Sequence, residues 1–177
     1  MKRTDLEHII RAAADIAADN EIIIIGSQAI LAFELKFTGD LIASMEADVF
    51  PKNYPERADL IDGTIGEGSP FHATFGYYAQ GVAATTAVLP KGWQERLVAI
   101  QNENTRGAIG WCLECHDLII SKYVANRPKD LSFIRAAIEQ KILNKDILLL
   151  RILESPINEE LKKQISIKIE SDFRKIL

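Results

Sequence analysis

Apolar residues fall at helical spacing from the start of the chain. Leu6, Ile9, Ile10, Ala13, Ile16 and Ala17 recur every three or four positions, the period of one buried helix face. Thr4 is followed three residues later by Glu7, which reads as a capping box and predicts a helix to about Asp19. The pattern then changes period. Glu21 leads into four consecutive isoleucines, Ile22 to Ile25, closed by Gly26. A β-branched run that ends on glycine predicts a buried strand. Ser27 is placed to cap a short helix from Gln28 to about Leu35. After a loop at Gly39, a second strand is expected over Glu46–Phe50, stopped by Pro51.

The middle of the chain reads as short pieces. Helical stretches are predicted at Pro55–Ile61 and around Pro70–Thr74, then short strands at Tyr77–Val82, Ala84–Leu89, Leu97–Ile100 and Ile109–Leu113. Turns containing Gly81, Pro90-Lys91-Gly92 and Asn102–Asn104 divide them. From Glu114 onward the pattern is helical: one helix to Asn126, one from Pro128, one over Lys145–Glu154, and a last with Ile157, Leu161, Ile165, Ile169 and Phe173 four apart. Strands first and helices later predict an α+β fold, a mixed β-sheet flanked by helices with a helical C-terminal half. Residues 1–113 would form the α/β core and 114–177 a helical part packed on it, one compact unit.

Composition narrows the class. The chain has 177 residues, 47% hydrophobic and 26% charged, the profile of one globular domain with a real core. Lys2, Arg3, Asp5 and Glu7 interrupt any signal-peptide-like apolar stretch at the start. The longest apolar runs are too short to span a bilayer, and two cysteines do not make a disulfide scaffold. The expectation is a cytoplasmic protein with no membrane partner. Net charge is −4 but uneven: residues 1–89 carry 6 Lys+Arg against 13 Asp+Glu, and residues 90–177 carry 15 against 12. An acidic front half suits a metal site, and a mildly basic back half suits phosphate. Mixed surface charge is also the ordinary condition of a soluble protein.

Three places offer chemistry. Gly26-Ser27 stands at a strand-to-helix turn, where glycine lets a phosphate approach the backbone and the serine adds a hydroxyl; the same pair is ordinary turn-and-cap chemistry. Glu46 and Asp48 lie two apart on a predicted strand, so both carboxylates project from one face. Paired carboxylates repel unless a cation sits between them, and hard oxygen ligands suit Mg2+ or Mn2+ shared with nucleotide phosphates. A solvated polar strand face gives the same pattern. Lys122 interrupts an otherwise apolar helix and must reach solvent or a cleft. Arg127, Lys129 and Asp130 follow closely; Asp130 in a first helical turn also complements the helix dipole.

Gly-Ser after a strand, then Glu46-Ala47-Asp48 on the next, resembles the nucleotidyltransferase superfamily of polymerase-β-like fold. Gly92-Trp93-Gln94-Glu95-Arg96-Leu97, Gly110-Trp111-Cys112-Leu113, and His116-Asp117-Leu118 with Ser121-Lys122 resemble its DUF6036-type branch, related to the AbiE-type toxins of toxin–antitoxin systems. The likeness runs from about residue 20 to about residue 140. It implies that Gly26 and Ser27 cradle nucleotide phosphates and that Glu46 and Asp48 hold the divalent metal. It also implies Lys122 as a phosphate contact and catalytic group, and Asp130 as a candidate base. The implied reaction is Mg2+- or Mn2+-dependent transfer of a nucleotide from an NTP to an RNA or protein acceptor, with a cognate antitoxin as partner. The sequence departs from the superfamily in three ways. The first metal carboxylate is Glu where Asp is usual, eighteen residues separate Ser27 from Glu46, and no predicted strand between residues 77 and 113 carries a third carboxylate mid-strand; Glu95 merely precedes one.

Cys112-Leu113-Glu114-Cys115-His116 matches the pattern for covalent haem. Haem would require export, and zinc would require further ligands that His8 and His72 are not spaced to supply. The expectation is no haem, no structural zinc, and two buried free thiols. Two rival functions stay open: a non-catalytic nucleotide- or RNA-binding module of the same fold, and a protein-interaction domain using the helical C-terminal half.

Overall fold

The computed structural model describes residues 1–33, 35 and 37–176. The first helix, α1, spans Arg3–Ala17. Its cap lies earlier than the Thr4–Glu7 box predicts: the Lys2 backbone N–H donates to the Asp5 carboxylate at 2.7 Å. Glu7 is instead turned inward, where the Asn102 and Asn104 amides and Arg3 donate to it. Tertiary partners outbid the local cap because burying an unpaired carboxylate would be far costlier than losing one N-terminal bond.

Five strands form one sheet: β1 (Glu21–Ile24), β2 (Glu46–Pro51), β3 (Tyr78–Gly81), β4 (Val98–Ile100) and β5 (Ile109–Cys112), in the order β3-β2-β1-β5-β4. β1 pairs antiparallel with β2 and parallel with β5. β2 pairs parallel with β3, and β4 antiparallel with β5. The parallel β2–β3 link is a crossover through α2 (Ala58–Ile65) and α3 (Pro70–Phe75), as parallel neighbours require. The predicted strand at Ala84–Leu89 is not one; that stretch is turn and irregular backbone. Its Thr85, Thr86 and Val88 are β-branched and favour a strand locally, but no sheet edge receives it.

The two faces of the sheet differ. Ile22, Ile24, Ala47, Val49 and Ala79 are buried under α1 and α2. Gly110 marks how tightly α1 lies there, since a Cβ at that position would overlap Ile10. The other face carries Ile23, Ile25, Glu46, Asp48, Phe50, Tyr78, Gln80 and Trp111, by strand alternation.

After the sheet come α4 (Cys115–Ala125), α5 (Pro128–Glu139), α6 (Lys145–Leu153) and α7 (Glu159–Ile176). α4 packs against α5 and α6, and α7 against both of these. The predicted α+β architecture with a helical C-terminal half is what the chain adopts. None of the described helices is long and apolar enough to cross a membrane. The helix expected over Gln28 to Leu35 is a shorter 3-10 turn, Ser27–Ala32, with Gly26 rather than Ser27 preceding it as cap; residue 34 lies outside the described residues.

Candidate active site

The site begins with the antiparallel register of β1 and β2. Ile24 stands opposite Val49, and the Ile25 N–H donates to the Asp48 carbonyl at 3.1 Å. The Gly26-Ser27 turn therefore lies beside the middle of β2. A Cβ on Gly26 would overlap Asp48 Oδ2 and stand 2.8 Å from its Cγ. Only glycine leaves room for this carboxylate to rest against the turn. Glu46 stands two residues earlier on the same face.

The carboxylate pair is electrostatically strained. Burial first, and then the neighbouring Glu46 charge, push the Asp48 carboxyl up to about 6, while Lys129 and Lys122 partly oppose this. Tyr78, the register partner of Glu46 on β3, has its phenol pushed up by burial and by the same acidic neighbours. A divalent cation is the natural relief for such a pair, and the oxygen-only donor set fits Mg2+ or Mn2+.

Lys122 approaches from α4. It is 6% exposed, its Nζ donates to Ser27 Oγ at 2.8 Å and to Asp130 Oδ1 at 3.3 Å, and it stands 4.4 Å from the Phe133 ring centroid. Burial presses its pKa down while Asp130 pulls it up. Burial is the larger effect and the net shift is downward, while the directly paired Asp130 carboxylate favours the charged form. The helix is apolar around Lys122, so its long stem packs and its head finds a polar destination in the cleft.

Asp130 stands behind that contact. It is fully buried, and besides Lys122 it accepts from Arg127 Nε at 2.6 Å and from the Arg127 backbone N–H at 3.3 Å. Burial alone would raise its pKa, but Arg127 and Lys122 outweigh burial and lower it. A carboxylate so engaged is a poor proton acceptor. The geometry places Asp130 at the α5 N-terminus, in contact with both Lys122 and Arg127.

These elements enclose a cavity of about 470 Å³, lined among others by Gly26, Ser27, Ser44, Glu46, Asp48, Gln80, Lys122, Arg127 and Lys129. Five of the six residues singled out from sequence thus meet around one space, with Asp130 behind Lys122. Gln80 is the residue that sequence reasoning missed. It is the register partner of Asp48 on the parallel strand β3 and shares its face. Strand alternation puts it on one face with Tyr78, but no sequence signal tells which strand β3 joins.

The Cys-x-x-Cys-His stretch forms a separate cluster, in which ligand-type atoms of Glu114, Cys115 and His116 lie within 4.8 Å of one another. All three are already engaged. His116 Nε2 accepts the Asn144 N–H at 2.9 Å, so Nδ1 carries the proton and donates to Glu114 Oε1 at 2.6 Å. The Cys115 thiol donates to the same carboxylate at 3.1 Å. Glu114 also caps α4 by accepting from the His116 and Asp117 N–H groups. Burial pushes the Cys112 thiol up to about 12 and Cys115 upward too, which keeps both in the protonated form that binds metal poorly.

A protein-family model described as a nucleotidyltransferase of unknown function, DUF6036, matches residues 4–175. No curated protein and no solved structure matches the chain.

Proposed function

The chain belongs to the DUF6036 nucleotidyltransferase family, and on that premise we propose that the cavity binds an NTP together with Mg2+ or Mn2+ and transfers its nucleotide to a hydroxyl of an RNA or protein acceptor. The observation that carries this reading is the packing of the Asp48 carboxylate on the bare Gly26 turn, with Ser27 and the buried Lys122 hydrogen-bonded beside it. Anionic oxygen ligands and a phosphate-binding cation thus share one wall.

In this reading Glu46 and Asp48 hold the metal. Bound there, a divalent cation neutralises phosphate charge and supports an in-line displacement. Ser27 and Lys122 receive phosphate oxygens, with Gly26 leaving the backbone open to them. The turn that carries Ser27 is a short 3-10 segment, so the Lys122 ammonium matters more than any helix dipole. Asp130 and Arg127 keep Lys122 aimed into the cavity. Exposed Arg127 and Lys129 at the cavity mouth favour RNA over protein as acceptor, because they offer charge to a phosphodiester backbone. A toxin role with a cognate antitoxin is part of the same proposal, on the resemblance of the sequence motifs to AbiE-type toxins.

The neutral Gln80 opposite Asp48 favours a second reading, a nucleotide-binding module without transfer. One experiment separates them: incubation with each labelled NTP, Mg2+ or Mn2+, and total RNA or cell protein, beside an Asp48→Ala control. Metal-dependent label transfer that vanishes in the control supports the enzyme. Metal-dependent NTP binding without transfer to any acceptor selects the second reading.

A further inference from the structure

On the reading that Glu46 and Asp48 bind metal, we infer that this site is built for a single divalent cation, with Lys122 as its second positive centre and Gln80 as the residue that limits it to one. Two divalent ions about 4 Å apart repel each other strongly, so sites that hold both share several carboxylates between them. Here two carboxylates face the cavity from β2. The next side chain on that face is Gln80, across the parallel β2–β3 pair from Asp48. Adjacent strands lie about 4.8 Å apart, so the Gln80 amide stands within ligand reach of whatever Asp48 holds. An amide oxygen can complete a coordination shell but adds no negative charge.

The missing positive charge is supplied by protein. Lys122 is buried and fixed at three points, by Ser27, Asp130 and the Phe133 ring. It is close enough to Asp48 to act on its charge. Glu46 and Asp48 together balance one divalent ion. Asp130, beside Lys122, is already shared with Arg127, so a second ion would add to positive charge that Glu46 and Asp48 alone do not offset. The ammonium therefore occupies, in electrostatic terms, the place of a second metal, and it cannot be removed by a chelator.

The expected behaviour is a specific stoichiometry. Mn2+ alone, titrated into the purified full chain and followed by calorimetry and by electron paramagnetic resonance, should bind at one site that is lost in Asp48→Asn. Gln80→Glu, an isosteric change at an exposed position, should raise the number of sites to two and give the line broadening of two coupled Mn2+ ions. Gln80→Ala should keep one site, and thermal melts should show both variants folded. Two Mn2+ at the cavity of the parent, or one site persisting in folded Gln80→Glu, overturns the inference while leaving the carboxylate pair as a metal site. No Mn2+ site sensitive to Asp48→Asn overturns the metal reading and this inference with it.

Discussion

The molecule holds two dense groups of ligand-type side chains, and they differ in how far their atoms are already engaged. Glu114, Cys115 and His116 bring their ligand-type atoms within 4.8 Å of one another, yet each donor has a partner: the Asn144 N–H on His116 Nε2, and Glu114 on both the ring and the thiol. Glu46 and Asp48 instead press two like charges together beside a cavity, with Asp48 raised by burial and by its neighbour. Proximity of ligand-type residues therefore says little. A closed hydrogen-bond set builds structure, and a frustrated set invites a ligand.

Asp48→Asn tests the frustrated side most severely. Metal-dependent nucleotide binding should disappear, read by calorimetry with NTP and Mg2+. Stability should move the other way. The folded carboxyl sits near 6, above the ordinary unfolded value, so the native state binds the extra proton between about pH 4 and pH 6. Stability without metal then falls as pH rises through that window. A shift of about two units corresponds to roughly 2–3 kcal/mol, and Asp48→Asn should recover much of it at pH 7 in thermal melts. For the parent, Mn2+ affinity should drop about tenfold per pH unit below about pH 6, because the ion must displace a proton. Flat affinity from pH 7 to pH 4.5 would remove Asp48 from the site.

Two milder changes sharpen the same comparison. Gly26→Ala puts a methyl group where Asp48 Oδ2 rests. The carboxylate must swing away, so metal affinity should fall by about 10- to 100-fold, at a stability cost of about 1–3 kcal/mol. Unchanged Mn2+ binding would show that the packing is incidental. Lys122→Met keeps the aliphatic stem, removes the ammonium that stands over Phe133 and leaves Asp130 paired with Arg127. NTP affinity should fall about tenfold or more, a loss on the scale of one charge-assisted contact, while binding of Mn2+ alone persists. Equal loss of both would place Lys122 in the metal shell instead.

Much of this was legible in sequence, for identifiable reasons. The isoleucine run and the Glu46–Asp48 alternation are local signals that survive any tertiary context, and they placed two strands and the carboxylate pair. Lys122 was visible as a charge in an apolar helix. Gln80 was not, because its meaning comes from β3 joining β2 in parallel, a pairing set by the α2–α3 crossover. The α1 cap and the Ala84–Leu89 segment misled because local propensity there yields to tertiary demand: Glu7 is claimed by Asn102 and Asn104, and residues 84–89 meet no strand. Asp130 was placed correctly at a first helical turn, but its burial under two cations could not be read from position.

The smallest functional effect should come from the closed cluster. His116 joins the start of α4 to the loop before α6 by one bond at each ring nitrogen. His116→Ala removes both and leaves the half-buried Glu114 carboxylate with fewer donors. Burial pushes Glu114 upward, yet the bonds from His116 and Cys115 prevail and hold it at about 2; without the ring it should titrate higher and lose its acid resistance. The expected cost is about 2–3 kcal/mol, or roughly 5–10 °C in melting temperature for a chain of this size. NTP and Mn2+ affinities should stay within about twofold, because the ring sits at the α6 side of α4 and outside the cavity lining. Added zinc should not raise the parent's melting temperature, since neither ring nitrogen is free to ligate without breaking a bond that the fold uses. A zinc-dependent rise of several degrees that His116→Ala abolishes would place a metal in this cluster and undo the distinction between the two groups.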